Sequence, residues 1–357
     1  MKISDIPKQR LHNQHLAITK FKKPGDVVAW LGAVQAQDFP GSLWAIGLRT
    51  QNALEADIHK AIAERSIVRT WPMRGTLHFV AATDAHWMLK LLASRVIAGI
   101  KRRSQQMELT EADIIRSEKI LVRALEGGNQ LTRGAMYKLL ENAGISTTNS
   151  RGLHILGRLA HERLICFGAR EGKQPTFVLL DEWVPAPKHL ERDEALAELA
   201  RRYFTSHAPA TLQDFVWWSG LTMTDARTAI DLAKAFLVQE NLADVTYWMP
   251  SSMPSAKLEK SIAFLLPPFD EYTVAYKDRS AVLDPMYANF LHNGNGIFSP
   301  IIVINGQVVG IWKRTVKKEK LIIQSTPFTK FSKAQTRSIR DAANRYGEFI
   351  KMPVVVD

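Results

Sequence analysis

Between residues 111 and 250 one pattern runs twice: a helix, a glycine-containing turn, a second helix, then a short β-rich stretch with hairpin spacing. The first copy reads LTRGAMYKLLENAGI, then RGLHILGRLAHERLICFGA, then TFVLL, and in it Leu153, Leu156, Leu159 and Ala160 recur at helical spacing. The second reads ATLQDFVWWSGL, then TMTDARTAIDLAKAFLV, then ADVTYWM. Thr132 and Thr211 stand where an N-cap hydroxyl belongs, and Ala143-Gly144 and Ser219-Gly220 stand where each helix must stop. That succession is the layout of a winged helix.

A third, more diverged copy opens the chain, with DVVAWLGAVQAQ and NALEADIHKAIAERS as its helices and IVRTWPMRGTLHFV as strand, turn and strand. Its hairpin turn is expected to hold Pro72 and Gly75. Residues 84 to 125 lack turn residues until Gly127-Gly128 and should be long connecting helices, and WVPAPKH at 183–189 a short linker. Beyond residue 250, SIAFLLP, YTVAY, IIVINGQVVGIW and KLIIQS are β-like, and Asn305-Gly306 is a two-residue hairpin signal. SKAQTRSIRDAANRYGEFI closes the chain as a basic amphipathic helix. Ser332 is its N-cap, Ile339, Ala342, Ala343, Tyr346 and Phe349 form its apolar stripe, and Arg337, Arg340 and Arg345 lie on the other face.

The expectation is therefore an α+β, mainly helical chain of tandem winged-helix repeats with a C-terminal small β-barrel or sheet element. Its parts are winged helix 1 over 1–83, connecting helices over 84–125, winged helix 2 over 126–182, a linker with winged helix 3 over 183–250, and the β-element with the basic helix over 251–357.

A chain of 357 residues with 46% hydrophobic content buries a core, so its surplus of 47 Lys+Arg over 35 Asp+Glu, a net charge of +12, sits on a globular molecule. That surplus suits a phosphate-rich partner, nucleic acid first, because each cation laid on a phosphate releases a counterion. The lone Cys166, in an apolar run, forms no internal disulfide and fits a reducing compartment. MKISDIPKQR carries charge without a following apolar segment, and no window approaches a membrane span, so the chain reads as a cytoplasmic protein with no membrane partner.

No CxxC, HExxH, GxGxxG, Walker loop or GxSxG occurs, so no metal or cofactor is expected. Three other segments draw the eye. In QAQDFPG, Gln35 and Gln37 are placed at the end of a helix whose stripe runs Val27, Leu31 and Val34, stopped by Pro40-Gly41; residues two apart diverge on a helix, so both amides reach one ligand only across a distorted last turn. In RTWPMRGTLHFV, a strand with Arg69 and Trp71, a turn projecting Arg74, and a return strand with Thr76 and His78 offer cations for phosphates and a ring for bases. In LLPPFDEYTVAYKDR, the acids Asp270 and Glu271 beside Tyr272 suit a base, a metal corner or a structural ion-pair corner, the last being the preferred reading.

KQRLHNQHL, LGAVQAQD, VRTWPMRGTLH, HAPATLQDFVWWSGL, LLPPFDEYTVAYKDR and VVGIWKR, in this order, resemble the winged-helix DNA glycosylases of the alkylpurine and crosslink-unhooking kind. The resemblance implies tandem winged helices with a β-barrel element and excision of N3- or N7-alkylated purines, in some members with opening of interstrand crosslinks. The family signature is Gln-x-Gln or Gln-x-Asp. Gln35-Ala36-Gln37 carries the first form, so Gln35 and Gln37 are the implied catalytic pair, and Asp38 falls one place late for the carboxylate of the second. A glutamine carbonyl holds and orients water without deprotonating it, which suffices for an N7-alkylguanine, whose positive charge already weakens the glycosidic bond. No lysine is placed for a Schiff base, so hydrolysis without strand cleavage is expected. Arg69, Trp71, Arg74, Thr76 and His78 are the expected DNA contacts, with Asp38, Asp270, Glu271 and Tyr272 as pocket or support, on a monomer acting on alkylated double-stranded DNA. The rival reading is a non-catalytic winged-helix transcriptional regulator that reads duplex sequence.

Overall fold

Hydroxyl caps open several helices of the computed structural model, which describes residues 1–256, 262–292 and 297–357. Thr132 Oγ1 accepts from the Ala135 N–H at 3.3 Å and Thr211 Oγ1 from the Asp214 N–H at 3.1 Å, starting helices Arg133–Asn142 and Leu212–Ser219. Gly144 and Gly220, both at φ 75°, follow the two helices, a backbone region in which a side chain would be strained. About half of the chain is helical, a mixed α/β protein rather than the mainly helical one expected.

Along the chain one order of elements occurs three times: helix, short strand, two helices, two strands. The middle copy is Glu111–Leu125, Leu131–Thr132, Arg133–Asn142, Arg151–His161, Ile165–Phe167 and Thr176–Leu179. The later copy is Arg192–Ser206, a single bridge from Ala210 to Trp248, Leu212–Ser219, Met223–Leu232, Leu237–Leu242 and Val245–Pro250. The first copy is Pro24–Leu31, Val34–Gln35, Phe39–Gly47, Glu55–Ala63, Ile67–Met73 and Thr76–Ala81. The sequence expectation of one helix running through Gln37 is corrected here. Gly32, at φ 79°, stops that helix at Leu31, and Pro40 stands near the start of the next helix, where its missing N–H costs nothing, rather than ending one.

The chain divides into two compact units, one of residues His59–Ala195 and one of Met1–Ile58 together with Leu196–Asp357. In the His59–Ala195 unit the strands lie in the order Thr76–Ala81, Ile67–Met73, Ile165–Phe167, Thr176–Leu179, Leu131–Thr132, every neighbour antiparallel. Its core gathers Leu121, Leu125, Met136, Leu140, Ile155, Leu156, Leu159 and Phe177. Leu153, expected on the buried stripe, is 48% exposed: Gly152, Ile155, Leu156, Leu159 and Ala160 form the stripe at i, i+3, i+4, i+7 and i+8, and Leu153 lies off it. Cys166 is fully buried, and burial pushes its thiol far above the usual range.

The other unit is built from both ends of the chain. Its curled sheet orders the strands Val354–Val356, Leu321–Pro327, Gln307–Val316, Ile301–Ile304 and Ala263–Leu266, the first pair parallel and the rest antiparallel. Asn305 at φ 54° and Gly306 at φ 85° make the tight turn that joins two of them. Helix Lys333–Ile350, capped by Ser332, buries Ile339, Ala342, Ala343, Tyr346 and Phe349. Two of those rings meet Trp44, of helix Phe39–Gly47, at centroid distances of 4.8 Å for Tyr346 and 5.1 Å for Phe349. Trp44 also donates its indole N–H to the Leu265 carbonyl at 2.8 Å, so the second helix of the first copy is anchored to the C-terminal sheet. Among the described residues no helix is long and apolar enough to cross a membrane.

Candidate active site and nucleic-acid interface

The Gln35-Ala36-Gln37 segment is extended at Val34–Gln35 and bends at Gln37 and Asp38 before helix Phe39–Gly47 begins. In extended chain, residues two apart lie on the same face, so the helical objection to a Gln-x-Gln pair does not arise. The two glutamines differ in depth. Gln35 is 6% exposed and Ala36 fully buried, whereas Gln37 is exposed. Asp38 is half-buried at the N-cap position, its side chain turned against Gly41: a Cβ on Gly41 would run into Asp38 Oδ2 and lie 3.2 Å from Pro267 Cβ.

The acidic segment Asp270-Glu271-Tyr272 packs against this motif within the same unit. Glu271, 1% exposed, takes the Gln35 backbone N–H on Oε1 at 3.0 Å and the Trp218 indole N–H on Oε2 at 3.0 Å, with His207 Nε2 3.4 Å from Oε2. Asp270 takes two parallel bonds from Arg49, 2.8 Å to Oδ1 and 2.9 Å to Oδ2, and also caps the Tyr272 N–H at 2.9 Å. Arg49 spends its other donors on Gln14 O, Gln14 Oε1 and Ala45 O at 2.9, 3.0 and 2.9 Å. Tyr272 is fully buried, donates to the Pro7 and Gly306 carbonyls, and has its phenol pushed well above its ordinary pKa by burial. Asp270 and Tyr272 thus hold protein groups. A cavity of about 600 Å³ in this unit is lined by Trp44, Phe264, Arg345 and Phe349 among others, with neither Gln35 nor Gln37 in its wall.

The hairpin of the His59–Ala195 unit places the expected DNA contacts differently from one another. Its turn is Arg74 at φ 56° and Gly75 at φ 70°, a two-residue turn; Pro72, expected in it, lies inside strand Ile67–Met73 at a break in register between Thr70 and Met73. A proline has no N–H for the ladder, so the strand bulges there and the turn starts later. Arg74 and Thr76 are half-exposed. His78 is fully buried, with Nδ1 3.0 Å from the Thr76 carbonyl and Nε2 3.3 Å from Arg74 Nη2, so it supports the turn and offers DNA no surface of its own. Arg69 lies 4.8 Å above the Phe167 ring, and Trp71, half-buried, stands 5.0 Å from the same ring. Burial, and after it the charge of Arg170, brings the Arg69 guanidinium down to about 10.

Trp218, His207 and Arg49 are structural partners of the motif that sequence reading did not single out. WWSG and the buried-arginine position carry no spacing signal in one sequence; Thr211 as N-cap and the Ser219-Gly220 stop marked that helix but not the role of Trp218.

Repeated helix-and-hairpin units on a protein of net charge +12 suit a phosphate-rich partner. The chain belongs to the AlkZ-like DNA glycosylase family, whose model matches residues 28–349, and it is accordingly a hydrolase acting on N-glycosyl bonds. It is 26% identical over 365 residues to the interstrand DNA cross-link repair glycosylase of Streptomyces sahachiroi, covering 94% of this chain and 92% of that protein. Its fold matches the solved structure of the Streptomyces sahachiroi DNA glycosylase AlkZ with a TM-score of 0.81 at 21% identity, over 100% of each chain.

Proposed function

We propose that this glycosylase hydrolyses the N-glycosidic bond of N3- and N7-alkylated purines in duplex DNA, including purines tied into interstrand crosslinks, by holding water with the Gln35-Ala36-Gln37 pair. The carrying observation is the split depth of the pair: Gln35 buried, its backbone bonded to Glu271, and Gln37 exposed one bend away. Gln37 is then the residue that presents its carbonyl to water and Gln35 the one that fixes the segment. Cationic lesions leave as neutral bases, so orientation of water without a base supplies enough help. Asp38, turned against Gly41, is a support rather than the general base.

The three-fold recurrence of elements supports winged helices within 1–83, 126–182 and 183–250, with connecting helices over 84–125 and the sheet and basic helix over 251–357. On the first hairpin, Arg74 and Thr76 meet the DNA backbone, Arg69 and Trp71 form the cationic and aromatic face beside them, and His78 holds Arg74. The crosslink substrate is supported by the similarity to the interstrand DNA cross-link repair glycosylase of Streptomyces sahachiroi.

The test is single-turnover excision of one N7-methylguanine from an oligonucleotide duplex by wild type, Gln35→Ala, Gln37→Ala and Gln37→Asp, measured beside binding. Gln37→Ala is expected to lose about 10²-fold in rate with DNA affinity kept within a few-fold, because the lost contact acts in the transition state. Equal rates for all four proteins would end the water-positioning reading. Tight binding of one undamaged sequence with no excision from any alkylated duplex would replace it with the regulator.

A further inference from the structure

We infer that Glu271 and Trp218 are positioning residues for the reaction, a clamp that fixes the height and direction at which the Gln-x-Gln segment leaves the core. The inference rests on the reading of Gln37 as the water-holding residue and adds what holds Gln37 in place.

The segment from Gly32 to Gly41 changes direction repeatedly: a helix ends at Leu31, two residues form strand, two bend, and a new helix starts. The position of a catalytic amide there is set by whatever the backbone packs against, and a displacement of about 1 Å costs on the order of 10²-fold in rate. The support is visible at three points. The Trp218 ring sits beside Gly32, where an added Cβ would lie 3.4 Å from its Cη2, in van der Waals contact. At Gln35 the Glu271 carboxylate takes the backbone N–H at 3.0 Å, and its second oxygen takes the Trp218 N–H at 3.0 Å. At Gly41 the Pro267 side chain closes against the backbone, four residues before Glu271 in the same LPPFDE run. One carboxylate therefore ties the catalytic segment to the very indole that packs on its preceding turn.

The indole is itself immobile. Trp218 is fully buried, its ring 5.0 Å from Tyr203 and 5.6 Å from His207, and Tyr203 donates to the Ala275 carbonyl at 2.9 Å. His207, fully buried, stacks on Tyr203 at 4.9 Å with 12° between planes and faces Glu271 Oε2 at 3.4 Å. Glu271 is no general base, because both its oxygens are engaged and it is 1% exposed; it acts only through the N–H of Gln35.

Glu271→Gln is the diagnostic change. A glutamine has one acceptor oxygen and one NH₂, so one of the two N–H groups, of Gln35 or of Trp218, then meets another donor. Excision of N7-methylguanine under single turnover should fall about tenfold or more with DNA affinity within about threefold, the mark of a displaced catalytic group rather than a lost binding surface. Trp218→Phe removes the indole N–H, keeps a ring near Gly32, and should lose a few-fold. The double variant Glu271→Gln/Trp218→Phe removes the donor conflict and should excise faster than Glu271→Gln alone. In the Gln37→Ala background, Glu271→Gln should cost no further rate, since the group it positions is gone. The clamp is overturned if Glu271→Gln and Trp218→Phe, both folded by circular dichroism, excise at the wild-type rate, or if the Glu271→Gln loss adds in full to that of Gln37→Ala. A wild-type rate for Gln37→Ala itself would instead strike the underlying water-positioning reading.

Discussion

Breaking the Arg49–Asp270 pair should destabilise the protein more than any single apolar truncation on its surface, and by a mechanism that a second substitution reverses. Arg49 uses all five of its N–H donors inside the protein and is 1% exposed on its side chain, against 0% for Asp270. Asp270→Ala leaves that guanidinium buried with two donors unsatisfied and no counter-charge, a loss of about 3–5 kcal/mol. It also removes the cap on the Tyr272 N–H, about 1 kcal/mol more. Each kcal/mol moves the Tm of a domain of this size by about 2–4 °C, so the combined loss should lower Tm by roughly 8–24 °C. Urea titration followed by fluorescence of the nine tryptophans measures the same loss as a lowered midpoint. Arg49→Met together with Asp270→Ala should recover at least half of it, because an apolar side chain in that space asks for no partner. A loss under about 1 kcal/mol for Asp270→Ala, or a double variant less stable than the single one, would refute the assignment of this pair as a buried, fully satisfied corner.

Four further outcomes are expected. Binding to undamaged duplex should weaken steeply with added salt, and Arg74→Ala should weaken it and lower the slope of log K against log salt by about one; a flat salt response would count against phosphate contacts altogether, and unchanged affinity of Arg74→Ala would move the interface off this hairpin. Thr132→Ala should cost about 1 kcal/mol, read as a shifted urea midpoint, since it removes the acceptor for the Ala135 N–H. Burial holds His15, His86, His154 and His161 below the ordinary 6.5, so the unfolded chain binds these protons first; stability should be unaffected above about pH 7 and fall as pH drops below 6.5, visible in Tm from pH 7.5 to 5.5. Cys166, buried with its thiol raised, should resist alkylation by iodoacetamide in the native protein and react only after unfolding.

Where a residue's role is local, the sequence was legible. Thr132, Thr211 and Ser332 cap helices because a short hydroxyl before an apolar run has one good use, and Asn305-Gly306 turns because few residues tolerate positive φ. Where the role depends on partners far along the chain, it was not. The helix drawn through Gln35 followed the apolar spacing of Val27, Leu31 and Val34, yet Val34 is buried in a strand; the repeat itself held the correction, since Thr132 and Thr211 open second helices and Asp38 takes their place in the first copy. His78 alternates like a surface residue but is buried, and nothing in RTWPMRGTLHFV says which strand face meets the core. The Gln35–Glu271 bond spans 236 positions, beyond the reach of any periodicity.

The unit that carries Gln35 is assembled from Met1–Ile58 and Leu196–Asp357, with His59–Ala195 between them. During synthesis the first 58 residues leave the ribosome long before Glu271, Trp218 and the C-terminal sheet exist to receive them. The His59–Ala195 unit completes first, and the glutamines stay without their brace until Trp218 and then Glu271 have been made. A nascent or truncated chain can therefore own a finished hairpin with Arg74 at its tip and still have no working centre. Ribosome-bound fragments ending near residue 195 are the species in which the two properties separate.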